Sequence, residues 1–169
     1  MNTSQSRLFI ALWPDDTVRQ ALAALPVTAG QTTRPGNLHL TLAFLGEQNP
    51  RLVEPLLALL RGLAAPAGPM DIDTLGRFGK RGDYTLWAGP RTNPDWLMTM
   101  HAELIVGLSA LEVSFPREHR LTAHITLARH APLSWGADQA PPSIRWTTNK
   151  PVLVVSQSAR SGVVYRLLD

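Results

Sequence analysis

Two short stretches carry residue types suited to acid–base chemistry: His39-Leu40-Thr41-Leu42-Ala43 and, 85 residues on, His124-Ile125-Thr126-Leu127-Ala128. Both are β-type in composition. In a strand residues i and i+2 share a face, so each His lies beside its Thr while the aliphatic residues point the other way. A histidine, with an ordinary pKa near 6.5, accepts or donates a proton at neutral pH, and two of them across a cleft can divide those tasks. Such a division suits in-line displacement at phosphorus, where the nucleophile loses a proton and the opposite leaving oxygen gains one. Each Thr hydroxyl can hydrogen-bond a non-bridging phosphate oxygen.

With 5 His and 14 Thr in 169 residues, chance supplies about 0.4 His-x-Thr triplets. The shared aliphatic middle residue and the shared Leu-Ala that follows make coincidence a poor account. One copy alone would read as a structural histidine, and the duplicated context reverses that preference. Zinc is the competing use of two strand histidines, but a catalytic zinc site wants a third ligand. No acidic residue repeats with the motif, so neither metal nor cofactor is expected. His101, His119 and His130 stand outside the pattern and are expected to be surface or structural.

The elements that must position the two motifs follow from periodicity. Arg7 to Trp13 reads as a buried strand, and Pro14-Asp15-Asp16 opens a helix with the stripe Val18, Ala21, Leu22 and Leu25, stopped by Pro26. A loop from Thr28 to Asn37 leads to the first motif strand, from about Leu38 through Phe44, ended by Gly46. Residues 50–62 form a Leu-rich helix in which Pro55 demands either a start near Glu54 or a kink. A Pro/Ala/Gly linker spans Ala64 to Pro69. Met70 to Phe78 and Tyr84 to Ala88 form a hairpin with a basic tip at Lys80 and Arg81. The first pattern then returns. Tyr84 to Gly89 closes on Pro90 as Arg7 to Trp13 closes on Pro14, and a helix from Asn93-Pro94-Asp95 carries Leu97, Met100, Leu104 and Leu108 on one side. The loop through Pro116 to Arg120 precedes the second motif strand. Units 7–46 and 84–129 therefore look like an internal duplication, which would set the two His strands face to face about an approximate two-fold axis. His130 to Pro142 reads as loop, Ile144 to Thr148 as strand, and Pro151 to Ser158 with Val163 to Leu168 as a closing hairpin.

Composition sets outer bounds. The content is 44% hydrophobic and 17% charged, which fits one folded domain over 1–169. The absence of cysteine excludes a disulfide framework, a thiolate nucleophile and Cys-ligated metal. No signal-peptide core and no membrane-length apolar run occurs in the sequence, so a cytoplasmic location is expected. Of 16 basic residues 14 are Arg. Arg suits phosphates and stacks on bases, although a general bias towards Arg explains the number more simply.

The paired motifs resemble those of the two-histidine phosphoesterase superfamily, and within it the RNA 2′,3′-cyclic phosphodiesterases, also called 2′-5′ RNA ligases. The likeness extends to Arg7-Leu8-Phe9-Ile10-Ala11-Leu12, to Phe44-Leu45-Gly46 after the first motif, to Leu86-Trp87-Ala88-Gly89, to Arg129 and to the Ser156 to Tyr165 region. It spans nearly the whole chain in order. Many relatives carry Pro before the second motif, where Ala123 stands here, a difference that concerns loop stiffness more than chemistry. The resemblance implies an α/β (α+β) fold, bilobal and pseudo-two-fold, with mainly antiparallel sheets around a central cleft. It implies metal-independent hydrolysis of 2′,3′-cyclic phosphate RNA ends to 2′-phosphomonoesters, with reversible 2′-5′ RNA ligation as a second activity. In that analogy His39 is the proton donor, His124 the proton acceptor, and Thr41 and Thr126 bind the phosphate. The implied partner is RNA with a cyclic phosphate end, tRNA fragments included, with no membrane partner and a monomeric state.

Weaker expectations concern Arg129, Phe78, Lys80 and Arg81 as RNA contacts. Strict alternation sets Arg129 on the face opposite His124 and Thr126, a solvated tip is the simpler reading of Lys80 and Arg81, and Trp87 reads as core. Two other functions compete. One is a phosphodiesterase acting on a small cyclic phosphate, ADP-ribose-derived or a cyclic nucleotide. The other is a non-catalytic RNA-end-binding module, which would have no need of a matched acid and base.

Overall fold

A computed structural model of the chain describes residues 6–27, 29–117, 120–132, 139–160 and 162–168. The first unit runs β1 (Ser6–Leu12), α1 (Asp16–Ala23), a two-residue strand β2 (Gln31–Thr32) and β3 (Leu40–Gln48). Asp15 caps α1 by accepting a hydrogen bond from the Val18 amide at 2.9 Å, and Val18 and Leu22 are its buried residues. Next comes α2 (Val53–Gly62), entered through a 3-10 turn at Pro50–Leu52. Pro55 thus falls in the first turn, where no amide partner is required, and the expected conflict does not arise.

The strands β4 (Pro69–Ile72), β5 (Thr74–Lys80) and β6 (Asp83–Gly89) follow, then α3 (Asp95–Ala110) and β7 (Ile125–Ala131). The chain closes with β8 (Ile144–Thr147), β9 (Val152–Ala159) and β10 (Gly162–Leu168). Several expectations need correction: Gly46 does not end the first motif strand, which runs on to Gln48, and His130 and Ala131 continue β7 instead of opening a loop. Met70 to Phe78 is not one strand: β4 pairs with β8 in a separate two-stranded sheet, and only β5 forms the hairpin with β6. The loop at Thr28 to Asn37 contains β2 and a 3-10 turn at Pro35–Asn37. His119 and residues 133–138 of the expected 130–142 loop lie outside the described residues.

The main sheet is antiparallel, in the order β10-β9-β1-β3-β7-β6-β5. The two motif strands are its centre, and their own strand–helix partners β1 and β6 flank them. One face carries the main core, in which Leu8, Ile10 and Leu12 of β1 meet Leu40 and Leu45 of β3, Leu56 and Leu60 of α2, and all four predicted α3 residues. The other face carries Phe9, Ala11 and Val154, with Trp13 and Tyr165 packed against them.

At the centre β3 meets β7 only at Leu40 and Ile125. Farther along, the same edge of β7 pairs instead with β2, at Arg129 and Ala128. The sheet therefore splays just beyond its central pair, and the opening is the cleft described below.

Close approach explains Gly89, the last residue of β6. A Cβ there would run into the Ala123 carbonyl oxygen, immediately before His124. Gly89→Ala is expected to cost about 1–3 kcal/mol of stability. Gly36→Ala, whose Cβ would meet nothing within 4 Å, should stay within about 0.5 kcal/mol. Urea unfolding of the two variants checks the contrast, and equal effects would contradict the packing described.

Candidate active site

His39 and His124 each occupy the residue just before a strand, not a position inside one. Each ring is tied to its own backbone. His39 Nδ1 lies 2.6 Å from the Asn37 carbonyl oxygen, and His124 Nδ1 lies 2.7 Å from that of Thr122. A carbonyl only accepts, so Nδ1 carries the hydrogen in both rings. Nε2 is left as the reactive nitrogen of each.

Continuing the Leu40–Ile125 register by one residue each way sets His39 across from Thr126 and His124 across from Thr41. Directly opposed residues share a face. All four side chains line a single cleft of about 720 Å³, together with Asn37, Phe44, Phe78, Arg129 and Tyr165. The two chemical faces therefore meet.

Both motif strands are bulged at the same place. Ile10 pairs with Ala43 but Ala11 with Thr41, leaving Leu42 as the extra residue, and Leu86 pairs with Ala128 but Trp87 with Thr126, leaving Leu127 extra. Leu42 and Ala43 are consecutive buried residues, as are Leu127 and Ala128. One extra residue inverts the alternation beyond it. Phe44 and Arg129, the fifth residue after each His, thereby come round to the cleft. This corrects the expectation that Arg129 faces away from His124 and Thr126.

The other expected contacts divide. Phe78 lines the cleft and meets the His124 ring edge-on at 4.8 Å, while stacking on Trp87 at 5.3 Å. Lys80 and Arg81 do not line the cleft; Lys80 ends β5 and Arg81 belongs to the tight turn that follows, where Arg81 and Gly82 both have positive φ. Trp87 is half-buried beneath Phe78, 6.2 Å from the His124 ring, with its indole nitrogen buried and without a hydrogen-bond partner among the described residues. His101 lines a neighbouring cavity of about 230 Å³ shared with Thr41, Phe44 and His124. His130 is exposed, with Nδ1 in hydrogen-bond contact with the Asp83 carboxylate at 3.0 Å.

The environments of the two histidines differ. Phe9, Trp13 and Tyr165 surround His39, with ring centroids 4.8, 5.4 and 5.2 Å away. Burial, and to a smaller degree the charges of Arg129 and His124, lower its pKa from 6.5 to about 4 against the opposing pull of the Asn37 carbonyl. In the free protein His39 is neutral at pH 7. Among the described residues, no group of three or more His, Asp or Glu side chains is placed to hold a metal ion. Nor is any helix among them long and apolar enough to cross a membrane.

Sequence comparisons give the cleft its context. A model of the LigT-like phosphoesterase family matches residues 12–87. The RNA 2′,3′-cyclic phosphodiesterase of Escherichia coli is 29% identical over 94% of this chain and 92% of its own length. That of Thermus thermophilus is 30% identical over 96% and 88%. Escherichia coli LigT without ligand superposes with a TM-score of 0.82 at 28% identity, covering 98% of this chain and 96% of its own. In complex with 3′-AMP it superposes at 0.80, with 26% identity and the same coverage.

The depressed His39 value fixes the sign of a pH effect on stability. The unfolded chain takes up this proton first, so stability is intact above about 6.5, falls as pH drops through the window, and levels off below about 4. The contribution of His39 is on the order of 1–3 kcal/mol. Urea midpoints across that window should fall less steeply for His39→Gln than for the parent, and parallel curves would contradict the burial of a neutral ring.

Proposed function

The chain belongs to the LigT-like phosphoesterases, the family of the RNA 2′,3′-cyclic phosphodiesterases, and we propose that it opens 2′,3′-cyclic phosphates at RNA 3′ ends to 2′-phosphomonoesters. The observation that carries this reading is the pair of imidazoles, each with Nδ1–H committed to a backbone carbonyl and Nε2 without a hydrogen bond among the described residues, in one cleft with both Thr hydroxyls. The whole chain, 1–169, acts in this reading as one domain whose units 7–46 and 84–129 supply the two sides of the site.

In the proposed reaction His124 Nε2 accepts a proton from water as the water oxygen bonds to phosphorus. The bond from phosphorus to the 3′ oxygen breaks on the opposite side, and His39 Nε2 gives that oxygen its proton. Thr41 and Thr126 donate hydrogen bonds to the non-bridging oxygens, and Arg129 balances their charge. Proton exchange with solvent resets the pair. The donor role requires His39 to be charged in the complex although it is neutral in the free protein. A cyclic phosphate anion supplies the condition, since its negative charge offsets both the burial of the ring and the repulsion from Arg129. Substrate therefore brings a proton with it.

With a ribose 5′-hydroxyl in place of water, the same displacement leaves a 2′-5′ linkage, which is the ligase direction. No metal is assigned a part, because the donor set described has no third ligand. RNA bearing the cyclic end is the proposed partner.

His39→Ala and His124→Ala are each expected to lower turnover of a 2′,3′-cyclic nucleotide by about 10²–10⁴ while keeping parental circular dichroism. Chelator should leave the rate unchanged, and phosphorus NMR of the product should show the 2′-phosphate. Full activity in either variant, or a 3′-phosphate product, would remove the assignment of roles.

A further inference from the structure

The two halves of the site share a motif but differ in what lies across from each histidine. Ala11 pairs with Thr41 and Leu12 with Leu40, so the next residue, Trp13, falls opposite His39. Trp87 pairs with Thr126 and Ala88 with Ile125, so the next residue, Gly89, falls opposite His124. In direct register His39 meets an indole where His124 meets a glycine, and the rings near His124, Phe78 and Trp87, come from other positions. The indole lies 7° from the plane of the His39 imidazole, with centroids 5.4 Å apart. Phe9, on the same side of β1, adds a second ring tilted by 32° at 4.8 Å, and Tyr165 meets the imidazole at right angles. Tyr165 also contacts Trp13 edge-on at 6.5 Å, bracing it from β10. Trp13 is not among the residues lining the cleft, so its contact is with His39 and not with the surface that would hold substrate.

We propose that Trp13 is a positioning residue for His39: its stacked indole fixes the imidazole plane so that the Nε2 edge faces the cleft, and shields the ring from water, making this histidine chemically unlike His124. The proposal rests on the reading of the two histidines as an acid–base pair. The groups facing His39 are few. β1 offers only the uncharged Phe9, Ala11 and Trp13, and β9 the apolar Val152 and Val154. β10 offers the Tyr165 phenol. β7 brings His124 and Arg129, whose charges oppose protonation, and the turn before β3 brings the Asn37 carbonyl, which favours it. Arg34 lines the same cleft. Among these influences exclusion of water is the largest, and the ring most nearly parallel to the imidazole is Trp13. In this account the position across from each histidine, Trp in one unit and Gly in the other, adds to the difference between them.

The test compares Trp13→Leu and Trp13→Phe with the parent, by NMR titration of the His39 ring in the free protein and by kcat and KM on a 2′,3′-cyclic nucleotide. Trp13→Leu should raise the His39 midpoint from about 4 by about one unit or more. It should lower kcat about tenfold with KM held within about twofold, and Trp13→Phe should restore most of both. In the parent, ring currents from the stacked indole should displace the His39 ring protons upfield, an observation that needs no variant. A folded Trp13→Leu protein with parental midpoint and kcat overturns the proposal. So do undisplaced His39 protons in the parent, or a rise in KM with kcat unchanged, which would make Trp13 a substrate contact. Absence of turnover by the parent would instead count against the proposed activity, and the titration would still decide what Trp13 does to His39.

Discussion

Two hydrogen bonds of one construction underlie the site, His39 Nδ1 to the Asn37 carbonyl and His124 Nδ1 to the Thr122 carbonyl. Each spans two residues, so a ring is oriented by the same few atoms that lead the chain into its strand. The orientation then depends on where the strand begins, and the sheet decides that. The approaches to β3 and β7 are held by β1 and β6, and the two strands touch each other through Leu40 and Ile125. Both are 0% exposed, so the pair that brings the histidines together is also part of the core. The Asn37 side chain adds a further tie by donating to the Val163 carbonyl at 3.1 Å, which joins the turn before His39 to β10.

Beyond that central contact the bulges at Leu42 and Leu127 turn a symmetric motif into an asymmetric site. They bring the fifth residue after each histidine into the cleft, and those residues differ: Phe44 offers an exposed ring where Arg129 offers a cation. The rings around the histidines differ likewise, with Phe9, Trp13 and Tyr165 about His39 against Phe78 and Trp87 about His124. Matching strands give the site two imidazoles and two hydroxyls, and unlike neighbours give them unlike surroundings. Acid–base division of labour needs that inequality.

The motif residues, the strand–helix order and the core stripe on α3 were all legible in the sequence, because each rests on local periodicity. What escaped it depends on pairing between distant segments. Nothing in Leu42-Ala43 or Leu127-Ala128 announces a bulge, since the extra residue is defined only against β1 or β6. Strict alternation therefore sets Arg129 on the wrong face and gives no sign that Phe44 reaches the cleft. Tyr165 reaches His39 from a strand 126 residues along the chain, and Trp13 does so by register across β1 and β3. The break between β4 and β5 was hidden for the same reason, because β4 finds its partner in β8.

The central claim is that one phosphorus sits between two imidazoles, one taking a proton from the entering oxygen and the other giving one to the leaving oxygen. Stereochemistry at phosphorus tests it most directly. A single diastereomer of a nucleoside 2′,3′-cyclic phosphorothioate, opened by the protein in oxygen-18 water, should give product with inverted configuration, as one in-line displacement requires. Net retention would mean two successive displacements through a phosphorylated protein group and would contradict the account.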